Sequence, residues 1–424
     1  MTIEYITSKN LYLLIRDTLK LLNEEVINHG IRVSYLMSQM MECDGNYEKY
    51  EIADFMLLGM MHDIGAFKTD DVKKTLSYEA KRTLPHSIYG YMFLKYLSPL
   101  EKQSKMLLYH HVDTLKMRGM DYEYLKETEL LKVAEIIEIW RKAFGDKFDY
   151  KQIERYRDTK FSGDAIDLLY AAIKENDVLT KLDSGEYLEE FEESMDYLLL
   201  SDDEKDKYVR LMMYCTGLRD EDLVSNTIMT ICVSRELGIR LRMNEMERNE
   251  LYYASLLHDI GMLGLPYDFI NSSQKLKTEE MNLVKTHVEI MEKILEGRVT
   301  EPILNIAATH HERFDGSGYP RGLKGGSLTQ KDAILQISET VVNMSIRKNY
   351  REAFSKEEIL KELNDGIISG KYEGIVADTM VKFYDDIMQK AHEKAKITLL
   401  THQKLKFNTE KVYKNFMAIE GIKD

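Results

Sequence analysis

The chain is short of helix breakers. Only five prolines occur among 424 residues, Pro85, Pro99, Pro266, Pro302 and Pro320, and so sparse a set points to an all-α fold. Cysteine is equally scarce. Cys43, Cys215 and Cys232 lie far apart without metal-type spacing, which disfavours cysteine-ligated zinc and fits free thiols in a reducing cytoplasm. No stretch approaches the roughly 18 uninterrupted apolar residues that a membrane span needs. The opening MTIEYITSKNLYLLIRDTLK lacks the basic, apolar and small-residue succession of a secretory signal. Basic charge is short as well: 58 Lys and Arg face 72 Asp and Glu, a formal net charge of −14. That balance argues against wrapping duplex nucleic acid, while leaving room for a local basic pocket around a phosphate ligand. The expected location is cytoplasmic, with no membrane association.

What the chain does have is helical period over most of its length. Apolar residues make up 44% and charged residues 31%, ordinary for a globular protein of two or three domains. Leu11, Leu14, Ile15, Leu19 and Leu22 line one face of an opening helix, and 52–61 reads as a buried one. Further helices are expected at 86–97, 101–111, 128–144, 164–180, 189–199, 221–237, 246–258, 279–296, 301–311, 329–345, 356–368 and 375–402. The acidic stretch 181–207 is expected to be a helical linker between domains. The tail 389–424 interleaves Lys with Leu, Phe and Tyr, as a packing helix or a dimer contact would.

An internal repeat organises these helices. MMHDIGAF at 60–67 returns as LLHDIGML at 256–263, His86 as His287, the pair His110 and His111 as His310 and His311, and Glu135 as Glu339. Four landmarks in one order, about 200 residues apart, mean two copies of one domain. The expected division is an N-terminal domain at 1–180, the linker at 181–207 and a C-terminal domain at 208–424.

Each copy gathers an apolar helix ending in His-Asp, a histidine from a second helix, a His pair from a third and a carboxylate from a fourth. A lone histidine is usually a satisfied core or surface side chain; the repeated set is what carries the inference. Mixed imidazole and carboxylate ligands suit Fe, Mn, Zn or Co. An Asp that bridges, with more than four ligands per copy, implies a centre of two divalent ions rather than structural zinc. Gly65 and Gly261 follow each His-Asp, where the backbone can turn sharply.

HDIG with the later histidines resembles the HD phosphohydrolase superfamily. HHERFDGSGYPRGLKG at 310–325 is similar to the signature of its HD-GYP subfamily, as are LLHDIGMLGLP and RKNYREAFSKEEILKEL on either side. The resemblance covers roughly 210–385 strongly, while 25–145 resembles the broader HD core without a GYP loop. It implies an all-α fold, two or three metal ions (Fe or Mn favoured), and hydrolysis of cyclic di-GMP or 3',3'-cyclic GMP-AMP. The implied metal ligands and catalytic residues of the C-terminal copy are His258, Asp259, His287, His310, His311 and Glu339. The implied substrate contacts are Arg313, Asp315, Gly316, Gly318, Tyr319, Pro320, Lys348 and Arg351, with Arg321 a weaker basic candidate.

Several positions depart from the pattern. Met262 stands where the family has lysine, and Glu339 where it usually has Asp. The early histidine is absent, its place falling near Asp222 or Ser225. The N-terminal copy keeps that histidine as His29, one turn after Glu25, and adds His62, Asp63, His86, His110, His111 and Glu135. It lacks the GYP loop and carries Ala66 in the lysine position, with Lys68 two residues on. Catalysis is expected in the C-terminal copy, and a structural or regulatory role in the other. The alternative is a degenerate signalling module that binds a nucleotide or protein partner without hydrolysis. A homodimer or a signalling partner is expected in either case.

Overall fold

The computed structural model describes residues 4–67, 84–218, 220–266, 274, 276–348, 351–398, 400 and 412. Among these residues the regular structure is helical, with isolated bridges such as Lys348 to Arg351 and no strand. The chain is all-α, as its shortage of proline predicts.

Two compact units form. One holds Leu22–Lys207, and the other joins Met1–Leu21 to Tyr208–His402. This redraws the expected division at both ends of the N-terminal copy. Helix α1 (Ser8–Lys20) packs against the C-terminal unit, on the helix His287–Leu295 and the turn Ile260–Gly264. Its buried face, Leu11, Tyr12, Leu14, Ile15 and Leu19, drives that docking at roughly 1.5–3 kcal/mol per large side chain. Asn10 Nδ2 donates to the Gly297 carbonyl at 3.3 Å, Thr300 N–H donates to the Tyr5 carbonyl at 3.3 Å, and Asp17 pairs with Arg298. The acidic 181–207 stretch is helical, but it is part of the N-terminal unit rather than a separate linker. Tyr187, Phe191, Met195 and Leu198 are buried there, and the Tyr35 hydroxyl donates to Glu190 Oε2 at 2.5 Å.

The N-terminal unit is built on α2 (Glu24–Asp44), which packs on α3 (Lys49–Met60), α6 (Leu125–Phe144) and α7 (Gly163–Glu175). Helices α4 (Leu84–Leu97) and α5 (Lys105–Tyr109) bring in the remaining histidines. Asn23 caps α2 by accepting from Val26 N–H, and Gly45 closes it with φ of +69°. Helix α8 (Asp202–Thr216) crosses the boundary between the units.

The C-terminal unit repeats the arrangement. Its α9 (Glu221–Arg240) packs on α10 (Glu245–Leu257) and α14 (Gln330–Ser345), as α2 does on α3 and α6. The expected helix 279–296 is broken at Thr286 into α11 (Thr278–Lys285) and α12 (His287–Leu295), followed by α13 (Glu301–Ala308). Helices α15 (Lys356–Ser369) and α16 (Gly374–Lys382) cover α14, and a last helical stretch runs over 384–398. Most of the 389–424 tail lies outside the described residues.

The glycine after each His-Asp serves a close approach rather than a left-handed turn. A Cβ on Gly261 would lie 2.0 Å from the His287 carbonyl oxygen, and one on Gly65 the same distance from that of His86. Both copies therefore press the HD turn against the helix that carries His86 or His287. Gly261→Ala is expected to destabilise the C-terminal unit by about 2–4 kcal/mol through this overlap. Urea denaturation followed by far-ultraviolet circular dichroism checks it; an unchanged midpoint would contradict the packing.

Candidate metal centres

Local backbone geometry aims the imidazoles. His62, His110, His258, His287 and His310 each place Nδ1 against the carbonyl three residues earlier, at 2.6–2.9 Å. With Nδ1–H donating there, Nε2 is the atom left facing the cluster, a bare acceptor for a cation once the ring is neutral. The apolar run of α3 carries His62 and Asp63 inward, just as α10 carries His258 and Asp259.

In the N-terminal unit Asp63 lies at the centre. Its Oδ2 is 3.4 Å from His62 Nε2, and its Oδ1 is 3.3 Å from His86 Nε2 and 4.0 Å from His110 Nε2. Glu135 stands 3.9 Å from His110 and 3.7 Å from His111, and His86 Nε2 is 3.1 Å from His111 Nε2. Ligands about 2.1 Å from a shared cation sit roughly 3.0–3.5 Å apart, so this spacing fits. Two groups emerge, His86 with His110 and His111, and His29 with His62 and Glu135. The buried atoms His29 Nε2, His62 Nε2, His110 Nε2, Glu135 Oε1 and both Asp63 oxygens have no hydrogen-bond partner. Native interiors rarely leave polar atoms so, and divalent cations would satisfy the whole set. Glu25 does not join them. Half-exposed, it pairs with Lys142 and with Arg32 at 3.1 Å, because two cations flank it on the outer face of α2.

The C-terminal centre is built alike. Asp259 Oδ2 is 3.4 Å from His258 Nε2, and Oδ1 is 3.6 Å from His287 and 4.0 Å from His310. His287 Nε2 and His310 Nε2 are 3.1 Å apart, and Glu339 Oε2 is 3.4 Å from His311 Nδ1. His287, His310 and His311 form the ligand group. Asp259 is 17% exposed where Asp63 is 2% exposed, so this centre is the more open one. Asp222 is exposed at the first turn of α9, its N–H bonded to Asp220 Oδ1, and the ligand group does not include it.

Electrostatics make both centres sensitive to protons. Burial pushes the Glu135 and Glu339 carboxyls up to about 8, with Asp63 or Asp259 adding repulsion. Burial and the neighbouring rings drop His29 and His110 to about 3, so both are neutral. Burial opposes charge on His62 too, but the adjacent Asp63 carboxylate outweighs it and lifts the ring to about 9.

The GYP loop stands against the C-terminal centre. The Tyr319 ring stacks on His311 with centroids 4.5 Å apart, and the Lys285 ammonium lies 4.9 Å from the Tyr319 centroid. Gly316 takes φ of +85°, and a Cβ on Gly318 would lie 2.4 Å from the Arg313 nitrogen. Asp315 is exposed and accepts from Ser317 N–H at 2.9 Å, while Pro320 is exposed beyond Tyr319. Apart from Tyr319 these residues shape the loop. Arg313 donates to the carbonyls of His310 and Glu312 and lies over the Tyr372 ring. Arg351 donates to the carbonyls of Asn343, Ile346 and Glu352. Arg321 pairs with Glu292.

Sequence reasoning passed over Glu312 and Lys285. Glu312 is fully buried and accepts from Arg321 N–H at 2.7 Å and Leu323 N–H at 2.8 Å, tying the loop to the His pair. Its place directly after that pair was the available signal; Lys285, on a separate helix, offered none. In the N-terminal copy the segment after the pair goes elsewhere. Thr114 and Leu115 N–H donate to the carbonyls of Lys160 and Thr159, and a buried Lys132–Glu129 ion pair at 3.0 Å holds the Thr114 hydroxyl and Ser162 N–H. Lys68 lies outside the described residues.

Residues 211–374 match a family model described as an HD domain. That segment is similar to HD domains. The HD-GYP resemblance of 310–325 falls wholly within it. The chain is 24% identical over 384 residues to 3'3'-cGAMP-specific phosphodiesterase 1 of Vibrio cholerae, covering 84% of this chain and 87% of the relative. It is 33% identical over 174 residues to a cyclic di-GMP phosphodiesterase of Thermotoga maritima, 40% of this chain and 46% of the relative. The chain thus spans about half the length of the Thermotoga protein. A crystal structure of a cyclic GMP-AMP-specific phosphodiesterase of V. cholerae, V-cGAP3, superposes with TM-score 0.53 at 12% identity, over 92% of this chain and 98% of that one. The shared fold is the all-α HD type. No helix among the described residues is long and apolar enough to cross a membrane.

Two outcomes are expected. Metal uptake must expel protons from His62 and Glu135 in one centre and from Glu339 in the other, so affinity weakens below about pH 9 in the first and below about pH 8 in the second, by about tenfold per unit for each proton displaced. Calorimetric titration of Mn2+ into the apo chain at pH 7, in two buffers of different ionisation enthalpy, reads the release; identical heats would refute it. Glu312→Ala should lower turnover more than about tenfold by freeing the loop while leaving the bound metal unchanged, read by kinetics beside elemental analysis. Loss of metal in that variant would contradict a loop-holding role.

Proposed function

We propose that the chain is a metal-dependent phosphodiesterase that hydrolyses a cyclic dinucleotide, cyclic di-GMP or 3',3'-cyclic GMP-AMP, at the C-terminal centre. The observation that carries this reading is the open cluster of His258, Asp259, His287, His310, His311 and Glu339 beside the Tyr319 wall. The relatives bear names of cyclic dinucleotide phosphodiesterases, and the C-terminal unit is the part that matches the HD model. The N-terminal cluster is the better supplied with ligands, but its following segment is bonded to 159–162 instead of forming a substrate wall. Its role is structural or regulatory.

Divalent cations, Fe or Mn by ligand preference, supply an acidified water and positive charge opposite the phosphate. The chain supplies the rest. Nδ1–H bonds to the carbonyls of Ser255, Val284 and Ala307 fix the ring orientations. Tyr319 offers an aromatic edge to the nucleotide, and Arg313 and Lys348 place positive charge around the carboxylates for an anionic substrate. The products are the linear dinucleotide or mononucleotides. The reading places the chain in the cytoplasm, where its three free thiols stay reduced, as a homodimer or with a signalling partner.

Met262 and the exposed Asp222 favour one second reading, a module that binds without hydrolysis. Metal-loaded protein assayed on both cyclic dinucleotides, with products separated by chromatography, decides between them; intact substrate in both assays would overturn the proposal. His258→Ala is expected to lower turnover more than about 100-fold, and His62→Ala to preserve most of it. The reverse pattern would move catalysis to the N-terminal copy.

A further inference from the structure

One cation beside the C-terminal centre has no acid of its own. Lys285 ends α11, a helix with no buried residue, just before the break at Thr286. Among the described residues its ammonium makes no ion pair and no hydrogen bond; it lies instead over the Tyr319 ring, 4.9 Å from the centroid. The same ring stacks on His311, with centroids 4.5 Å apart and planes inclined by 27°. The Tyr319 N–H donates to the His311 carbonyl at 3.2 Å. The break fixes where the lysine goes. Thr286 N–H and hydroxyl both donate to the Leu283 carbonyl, at 3.0 and 2.7 Å, and His287 Nδ1 takes the Val284 carbonyl at 2.7 Å. One turn of chain therefore aims His287 into the cluster and Lys285 at the loop.

Resting on the activity proposed above, we infer that Lys285 is a positioning residue, which acts through Tyr319 by keeping that ring stacked on His311. An ammonium over an aromatic face is attracted to it, more strongly where water is excluded, and Tyr319 is half-buried. The loop's backbone is held by other bonds. Glu312 accepts from the N–H groups of Arg321 and Leu323, and the Arg321 side chain pairs with Glu292 of α12. Those bonds fix the chain after Tyr319 and leave the rotation of its ring to His311 and Lys285. The internal repeat supplies the control. His86 corresponds to His287, and two residues before His86 stands Leu84, the first residue of α4. The copy without a GYP loop thus has no cation in that place. A freed Tyr319 ring would sample rotamers that cover the cluster or leave its wall open, so fewer molecules would be competent to receive substrate at any moment.

Two measurements test this, and the first needs neither substrate nor metal, so its failure is separable from a failure of the proposed activity. Fluorotyrosine placed at position 319 of the full chain reports the ring by fluorine NMR. Lys285→Met is expected to move that resonance toward its position in the urea-unfolded chain, because the ring leaves His311. A resonance that keeps its native displacement overturns the inference. The second is a double-mutant cycle on Mn2+-loaded protein with cyclic dinucleotide. Lys285→Met should lower kcat/KM about three- to tenfold, and Lys285→Arg, whose guanidinium also seats on an aromatic face, should recover most of the loss. In a chain already carrying Tyr319→Leu, Lys285→Met should cost no more than about twofold, since the lysine then has no ring to hold. Equal losses in both backgrounds would make Lys285 a phosphate contact in its own right and sink the proposal. Elemental analysis is expected to find the Mn2+ content of Lys285→Met unchanged; a loss would assign the lysine to the His287 turn and overturn its role through Tyr319.

Discussion

A histidine whose Nδ1–H is held by a carbonyl on its own chain, three residues back, has one nitrogen left to offer and one direction to offer it. Among the described residues five imidazoles are fixed that way, and both centres depend on it. The bond selects the tautomer, removes rotational freedom and points bare Nε2 atoms at a shared carboxylate. Without it, a cluster of rings in a dry interior would rotate to satisfy itself internally and lose its affinity for cations. The carbonyls come from the last turn of a helix, where some already accept a main-chain N–H and keep a lone pair to spare, so the candidate ligands sit at helix ends.

The same constraint explains what the sequence disclosed. Histidines at repeated helix ends mark the centres, because helical period and residue type are both local. His62, Asp63, His86, His110, His111 and Glu135 meet, as do His258, Asp259, His287, His310, His311 and Glu339. Asp222 and Glu25 were harder to judge, since a carboxylate on a helix can turn inward or outward. Glu25 turns toward Arg32, two turns on along α2, and toward Lys142, which is 117 residues away. Glu312 is another such case: its importance comes from two backbone donors nine and eleven residues away. The glycines after His-Asp were legible as necessary, but their reason is contact with a distant helix rather than a local turn.

Divergence between the copies has followed separate lines. The N-terminal copy keeps a full ligand set and spends its post-histidine segment on internal bonds, including a buried Lys132–Glu129 pair whose desolvation is tolerable only because Thr114 and Ser162 complete its hydrogen bonding. The C-terminal copy keeps the 310–325 loop packed against His311 and a more exposed Asp259. The acidic excess of the chain lies mostly outside these centres, so the field an anion meets is set locally by Lys348, Arg313 and any bound cations.

Helix α1 gives the chain an unusual order of assembly. The C-terminal unit begins with the first 21 residues, is interrupted by the whole of the other unit, and is completed only by residues from 208 onward. During synthesis, α1 leaves the ribosome with an apolar face whose partners, α12 and the HD turn, are about 240 to 280 residues away in sequence. Closing so long a loop costs little more than closing a short one, but it comes late. The N-terminal unit can form while α1 waits, and the catalytic candidate is finished last. A fragment cut at the apparent boundary between the repeats would leave that face without its cover, so the two copies of the repeat are not two separable halves of the chain.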